Sequence, residues 1–277
     1  MLISVIVPVF NAADTLEQCI QSVVSQTLLG TELVIVDGGS TDGSQALIES
    51  FGKKVSFWSS QPDEGVFDAF NKGIAHASGD WLYFFGADDF LTSPQTLENV
   101  AKHLESVGPE IRIVYGRVAL LGSDDRVLRL LGAPWNIARG KFPAFMPISH
   151  QGVFHRKCLF EEHGLFDPSF KLAGDYEFLL RELRSHEAWF IPDTVIASHR
   201  SGGLSGKPEN EIRTMRELRI AQKMHGIMLP RPAWLIRMLA ARIQRTLTLL
   251  LGPRFGSAAT DILRNIVGKK KHWTKIN

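Results

Sequence analysis

The sequence predicts an α/β fold, a Rossmann-like mixed sheet flanked by helices, with a helical extension at its C-terminal end. Apolar runs rich in β-branched and aromatic residues, at 2–8, 33–36, 55–59 and 81–85, alternate with stretches of helical periodicity. The runs at 33–36 and 81–85 are apolar without alternation, as suits strands buried on both faces of a parallel sheet with right-handed crossovers. From Pro230 onward a leucine-rich stretch carries its apolar residues on one helical arc, which predicts the extension.

Composition sets the limits. A chain of 277 residues, 44% hydrophobic and 22% charged, is one large domain, or a domain with an extension, with ample length for a core. Cys19 and Cys158 are too few and too far apart for a disulfide framework or a zinc site, and Cys19 falls among the apolar positions of a helix. The chain opens directly into a strand, without the features of a signal peptide, and lacks an apolar stretch of about eighteen residues, so the cytoplasm is the expected location. The net charge of +2 is uneven. From residue 231 onward ten Lys/Arg face one acid, Asp261, giving +9 and leaving −7 on the first 230 residues. An acidic body with a basic tail points to an anionic surface as partner.

In chain order, the first strand ends at Pro8, Phe10 and Asn11, and Asp14 with Glu17 resembles a capping box for a helix through Val24. The second strand leads into Asp37-Gly38-Gly39-Ser40-Thr41-Asp42-Gly43, which opens a helix to about Phe51. The third leads into Gln61-Pro62-Asp63-Glu64-Gly65 and a helix over 67–77, and the fourth, 81–85, stops at Gly86 before Asp88 and Asp89. Asp37, Asp63 and Asp88/Asp89 thus follow buried strands and should converge along one sheet edge, where open α/β sheets bind ligands. Glycine and acid along such an edge suit a nucleotide: carboxylates accept from base and ribose, and glycine admits backbone N–H groups. Two adjacent carboxylates repel each other unless a cation or strong donors stand nearby; a metal at Asp88 and Asp89 would supply the charge a diphosphate needs. Exposed turns would also be rich in Asp, so one such loop is weak and three in register carry the reading.

The segments Ser4-Val-Ile-Val-Pro-Val-Phe-Asn11, Leu33-Val-Ile-Val-Asp-Gly-Gly-Ser-Thr-Asp-Gly43, Gly79-Asp80 and Gly86-Ala-Asp-Asp89, in that order and spacing, resemble the family-2 inverting glycosyltransferases over about the first 200 residues. The resemblance implies a GT-A fold, with a nucleotide-sugar-binding half (1–110), an acceptor-binding and catalytic half (111–228), and the basic amphipathic helices of 229–277 as an addition. It implies that Pro8, Phe10 and Asn11 border the nucleotide, that Asp37 binds its base or ribose, and that Asp63 contacts the base, with Gly38 and Gly65 in the same loops. Asp89 would hold Mg2+ or Mn2+ and Asp88 would serve the ribose or support the metal site; Gly86 departs from the commonest form, which has an acid there. Lys72 could reach a phosphate from its helix or stand in solvent, and Asp68 and Asn71, one turn apart, could order the loop beneath the donor. Asp80, at the amino end of its strand, reads as a structural turn.

The second half should shape the acceptor side. Strands at 111–121 and 126–131 flank Gly122-Ser-Asp-Asp125, a hairpin whose turn explains its paired acids without a metal. In the loop 132–147 Trp135 could stack on a sugar or pin the loop to the core. His150 and Gln151, at the start of a strand over 152–155, are polar groups placed for acceptor or donor-sugar contact. Asp175 opens an amphipathic helix, where an acid is favoured by the dipole alone; the resemblance implies the catalytic base, and Glu177, about 200° around the helix, does not share that role. A strand at 190–197 runs into Ser198-His199-Arg200-Ser201-Gly202-Gly203. There His199 would complete the metal or diphosphate site and Arg200 would grip a phosphate or face solvent, with Gly202 and Gly203 allowing a loop to close.

Helices are expected over 209–225, from Pro232 to the residue before Pro253, and over 258–267, followed by Lys269-Lys-Lys271 and Trp273. The basic amphipathic character suits the inner face of an anionic membrane; packing on the body or on a second copy in a homo-oligomer is the competing expectation. Nucleic acid does not fit so prominent an apolar arc. The expected reaction is transfer of one hexosyl unit from a nucleotide diphosphate sugar, UDP by default, to a hydroxyl of a lipid-linked saccharide acceptor in surface polysaccharide synthesis. The Gln-x-x-Arg-Trp motif of processive synthases is absent. A nucleotidyltransferase would want a basic triphosphate cradle where Phe10-Asn11-Ala12-Ala13 stands, and a non-catalytic nucleotide-binding protein would not need Asp175 beside Asp88 and Asp89.

Overall fold

The computed structural model describes residues 2–122, 124–200 and 208–251. The first unit is strand β1 (Ile3–Val9), helix α1 (Ala13–Val24), β2 (Thr31–Asp37), α2 (Ser44–Ser50), β3 (Phe57–Ser60), α3 (Val66–His76) and β4 (Trp81–Phe84). It continues through β5 (Phe90–Leu91) and α4 (Thr96–Ser106), neither expected from the sequence. The second part holds β6 (Ile113–Leu121), β7 (Val127–Leu131), α5 (Trp135–Ala138), β8 (Val153–Arg156), α6 (Cys158–His163), α7 (Gly174–Leu183) and β9 (Ala188–Arg200), then α8 (Pro208–Met224) and α9 (Pro232–Leu251).

One mixed sheet runs through both parts in the order β3-β2-β1-β4-β8-β6-β9-β5, with β7 paired to β6. The β3-β2-β1-β4 portion is parallel, as the strand–helix alternation predicts. From β8 onward pairing is largely antiparallel, with β6 and β9 parallel to each other.

Burial follows the two-residue period of each strand. On β1, Val5 and Val7 belong to one apolar cluster with Leu16 and Ile20 of α1, whereas Ile6 joins the other with Phe67, Phe70 and Ile74 of α3. On β4, Trp81 and Tyr83 face the first cluster and Leu82 and Phe84 the second. No residue from Trp81 to Phe85 is more than 1% exposed, which accounts for the unbroken apolar run.

The hairpin forms as expected, with Asp125 N–H donating to Gly122 C=O across the turn. Asp80 is structural, its carboxylate accepting the Leu2 N–H at 3.0 Å. The strand expected at 190–197 is longer, so His199 and Arg200 are strand residues paired with Leu120 and Leu121 of β6 rather than loop residues. Gly202, Gly203 and the expected helix and basic cluster at 258–273 lie outside the described residues.

Candidate active site

The carboxyl ends of β1, β2, β3 and β4 build one edge. After β1, Asn11 takes a left-handed φ of 48°, a conformation asparagine tolerates better than most residues. Its N–H donates to Ser40 Oγ at 2.8 Å and its Oδ1 accepts the Thr41 N–H at 2.9 Å, while the Ala13 N–H reaches Asp42 Oδ2 at 2.9 Å. The loops after β1 and β2 are therefore knitted together.

Asp37 is fully buried beneath them. Its Oδ2 accepts the Gly39 N–H, the Ser40 N–H and the Ser60 hydroxyl at 3.1, 2.9 and 2.6 Å. One oxygen of this buried carboxylate thus takes the nearest donors, the glycine turn that follows it, while Oδ1 is buried without a partner among the described residues.

Asp63 occupies the cleft side instead. A Cβ on Gly38 would lie 2.5 Å from Asp63 Oδ2 and 3.3 Å from the Phe10 ring, so glycine lets these three positions close on one another. Asp63 Oδ1 accepts the Gly65 N–H at 2.8 Å, and Phe10 is 66% exposed at the mouth. Pro8 is half-buried in β1, past the last β1–β4 pair, Ile6 with Phe84. Lys72 does not reach toward a phosphate: its Nζ is held by the Pro62 carbonyl at 3.1 Å and by Asp68 at 2.8 Å. Asp68 in turn accepts the Glu64 N–H, so of the two residues expected to order this loop it is Asp68 that bonds to it, with Lys72 beside it. Asn71 exchanges two hydrogen bonds with the backbone of Phe166, joining α3 to the second part of the chain.

At the end of β4, Asp88 is half-buried and Asp89 is 2% exposed. A Cβ at Gly86 would lie 2.7 Å from Asp89 Oδ2 and 2.8 Å from Asp88 Oδ1, so the two carboxylates fill the space that a side chain there would need. Pairing of Phe90 with Ser198 brings the end of β9 alongside, and His199 Nδ1 stands 2.9 Å from Asp89 Oδ1. Burial raises the Asp89 carboxyl above its ordinary range in spite of His199, and Asp88 adds to the rise. Burial works to lower the His199 imidazole, but the hydrogen bond and charge of Asp89 outweigh it and the ring titrates higher than usual.

Among the described residues no group of three or more His, Cys, Asp or Glu side chains is placed to hold a metal unaided. Asp88, Asp89 and His199 nevertheless fit Mg2+ or Mn2+ in chemistry: hard carboxylate oxygens and an imidazole, of which such ions use one or two and share the rest of their sphere with phosphate and water.

Arg200 points elsewhere, because successive strand residues face opposite sides. Its guanidinium pairs with Asp125 at 3.0 Å, donates to Gln18 Oε1 at 2.8 Å and lies over the Phe90 ring, so it ties β9 to the hairpin turn and α1 instead of forming a phosphate fork.

Asp175, half-buried, stands in the first turn of α7 and accepts the N–H of Tyr176 at 2.8 Å. Burial pushes its carboxyl up to about 6, against that hydrogen bond and with help from the charge of Glu217. The turn abuts the donor side. A Cβ on Gly174 would meet the Phe67 ring at 2.9 Å, and Lys171 Nζ donates to the Glu64 carbonyl at 2.6 Å. Glu177 is buried and paired with Arg181 and His225. Glu217 on α8, which sequence reasoning missed, accepts the N–H groups of Lys171, Leu172 and Ala173. Its partners are backbone groups, which leave no signature in residue type.

The three residues expected on the acceptor side are placed as follows. Trp135 is 8% exposed, packs edge-on against Phe142 and donates its indole N–H to Glu187, so it pins the loop to the core. The His150 ring is stacked on Phe84 with centroids 5.7 Å apart, and burial lowers its pKa to about 3, which keeps it neutral. Gln151 gives its backbone carbonyl to the Tyr83 hydroxyl at 2.6 Å. Aromatic packing thus takes up Trp135 and His150, whereas Gln151 is engaged through its backbone.

Residues 4–153 match the family described as Glycosyl transferase family 2. A PGL/p-HBAD biosynthesis glycosyltransferase of Mycobacterium tuberculosis is 34% identical over 183 residues, which cover 65% of this chain and 69% of that protein. Among solved structures, S. aureus TarS 1-349 in complex with UDP superposes with a TM-score of 0.60 at 18% identity, covering 96% of this chain and 77% of that one. The mannosyltransferase PcManGT of Pyrobaculum calidifontis, in complex with GDP-Man and Mn2+, superposes with a TM-score of 0.61 at 20% identity, covering 96% and 76%. With a family match over more than half its length and the GT-A sheet carrying the acids at its strand ends, this chain belongs to glycosyltransferase family 2 and is a glycosyltransferase.

Proposed function

We propose that the protein transfers a single hexosyl unit, with inversion, from a UDP-sugar to a hydroxyl of a lipid-linked saccharide acceptor, in a metal-dependent reaction. The observation that carries this reading is the seam joining Asp175 to the donor edge: Lys171 bonded to Glu64, and Gly174 against Phe67. Through it one acid with a pKa of about 6 stands beside the loop that holds Asp63. Such a group is ionised at neutral pH yet basic enough to take a proton in a transition state.

In this reading Phe10 and Asp63 hold the base and ribose, with Asp88 beside them. A divalent cation held by Asp89, with His199 and Asp88, would neutralise charge developing on the departing diphosphate. Asp175 removes the acceptor hydroxyl proton as that oxygen attacks the anomeric carbon from the face opposite the diphosphate; the new glycosidic bond forms, the old bond breaks and configuration inverts. UDP and UDP-GlcNAc are named with the TarS structures, and GDP-Man with Mn2+ names the other neighbour, which supports a nucleotide sugar and a divalent metal.

The acceptor assignment draws on α9. Met238 and Ala241 are buried, whereas Leu235, Ile236, Leu239 and Ile243 are exposed on the same helix with Arg242 and Arg245. Arg237 lies over the ring of Phe145, so this helix borders the 132–147 loop on the acceptor side. No helix among the described residues is long and apolar enough to cross a membrane. An exposed apolar arc with arginines suits the inner face of an anionic membrane, where a lipid-linked acceptor would be presented.

The test is calorimetric binding of UDP-glucose, UDP-galactose, UDP-GlcNAc and GDP-mannose, each with and without Mn2+. One member should bind in a Mn2+-dependent way and release its nucleoside diphosphate slowly in the enzyme's presence. Binding of none, with either metal state, would contradict the proposal.

A further inference from the structure

Helix α7 begins without a side-chain cap of its own, since Ala173 occupies the cap position. The N–H groups of the three residues that lead into it, Lys171 to Ala173, are met from another helix. Glu217, on α8 and 8% exposed, aims Oε2 at the N–H groups of Lys171, Leu172 and Ala173, at 3.0, 2.7 and 3.0 Å. Its Oε1 accepts the Arg213 Nε–H at 3.1 Å, which fixes the carboxylate from behind. Three consecutive N–H groups on one oxygen leave the loop little freedom, and a negative charge at this end of α7 is favoured by the helix dipole.

The same helix, with His225 just past its end, holds the following residues of α7. Gln222 lies 3.4 Å from the Tyr176 hydroxyl, which donates to the Phe142 carbonyl at 2.5 Å, and His225 Nε2 is 2.8 Å from Glu177 Oε1. Asp175 sits between these grips. Among the described residues its carboxylate makes a hydrogen bond only within its own turn, so its placement is set by the backbone on either side.

We propose that Glu217 is a positioning residue for glycosyl transfer, holding the 171–173 loop so that the Asp175 carboxylate stays beside the donor loop. The proposal rests on the reading of Asp175 as the base. Among the described residues the charged groups around this turn are Glu217, Arg213 and Arg219 from α8, Lys171 from the loop, and Glu177, which is matched by Arg181 and His225.

The experiment compares wild type, Glu217→Gln, Glu217→Ala and Asp175→Asn as full chains, with Mn2+ and the nucleotide sugar that binds most tightly among the four named above. Donor Kd is read by calorimetry, and kcat for release of the nucleoside diphosphate is read from pH 5 to 8. Glu217→Gln should bind donor within about twofold of wild type while kcat falls roughly tenfold, as expected when a reacting group shifts by a fraction of an ångström. The acid limb of kcat should move to lower pH, because loss of a neighbouring negative charge lets Asp175 ionise more readily. Unchanged kcat in Glu217→Gln would overturn the proposal, as would a parallel loss of donor binding and turnover, the mark of a general structural role. Should Glu217→Ala fail to fold, Glu217→Gln still decides. Failure of the parent reading looks different: Asp175→Asn at wild-type kcat removes the base and the positioning role together. An inactive Asp175→Asn beside a fully active Glu217→Gln removes the positioning role alone.

Discussion

Asp89 and His199 lie 110 residues apart in the chain, yet their side chains meet at 2.9 Å because the short strand β5 pairs with the end of β9. Each favours the charged form of the other, and Asp88 shares the space over Gly86 with Asp89. Replacing His199 by alanine should therefore weaken Mn2+-dependent donor binding roughly 10- to 100-fold, the usual effect of removing a group that orients a metal-binding carboxylate. Asp89→Ala should abolish the Mn2+ dependence. Calorimetric titration with the tightest-binding nucleotide sugar reads both, and unchanged affinity in His199→Ala would show the pair to be incidental.

Phe10 and Asp37 border the same edge with opposite exposure, and their substitutions should separate accordingly. Phe10→Ala removes a ring that is 66% exposed, so stability should change by less than about 0.5 kcal/mol. Donor affinity should fall about 3- to 10-fold, the worth of one aromatic contact of ~0.5–1.5 kcal/mol.

Asp37→Ala strands three donors, the buried N–H of Ser40 and the half-buried N–H of Gly39 and hydroxyl of Ser60. Urea denaturation should show a loss of roughly 2–4 kcal/mol. A stability equal to wild type would mean the loop is held by other bonds.

Much of the architecture was legible because burial on two faces leaves a compositional trace. β1, β2 and β4 were found from apolar runs, and the hairpin from its turn residues. β5 escaped because two residues carry no periodicity, and the end of β9 escaped because Ser198, His199 and Arg200 are polar while their strand register comes from β6. Within the site, strand-end acids were legible but their directions were not. Asp37 is the last residue of β2 and Asp63 lies three residues beyond β3, a difference of position that apolar runs alone do not resolve and that leaves one buried and the other at the cleft. Residue type likewise did not reveal that Trp135 and His150 turn inward, or that a lone glutamate on α8 reaches the loop before Asp175.

The raised pKa of Asp175 has a consequence for stability. Its folded value of about 6 exceeds an unfolded value near 3.9, so the native state prefers the protonated form and stability is lost as pH rises from about 4 to about 6. Asp175→Asn, a neutral isostere, escapes that penalty. Thermal unfolding should show the variant more stable than wild type at pH 8, by up to about 2 kcal/mol, with no such gain at pH 4. A variant less stable at pH 8 would contradict the burial of this carboxylate.

The exposed arc of α9 predicts sedimentation with anionic vesicles. Replacing Leu235, Leu239 and Ile243 together by serine should release the protein from phosphatidylglycerol vesicles, while neutral phosphatidylcholine vesicles should bind wild type weakly. Undiminished binding by the triple variant would assign membrane contact elsewhere.

The most direct measurement is the pH dependence of turnover for wild type and Asp175→Asn, with donor binding measured on both. Wild type should gain activity through a single ionisation near pH 6, and Asp175→Asn should bind donor normally while its turnover falls by roughly 10²- to 10⁴-fold and loses that limb. An Asp175→Asn enzyme that turns over at the wild-type rate, with the acid limb intact, would contradict the assignment of the base.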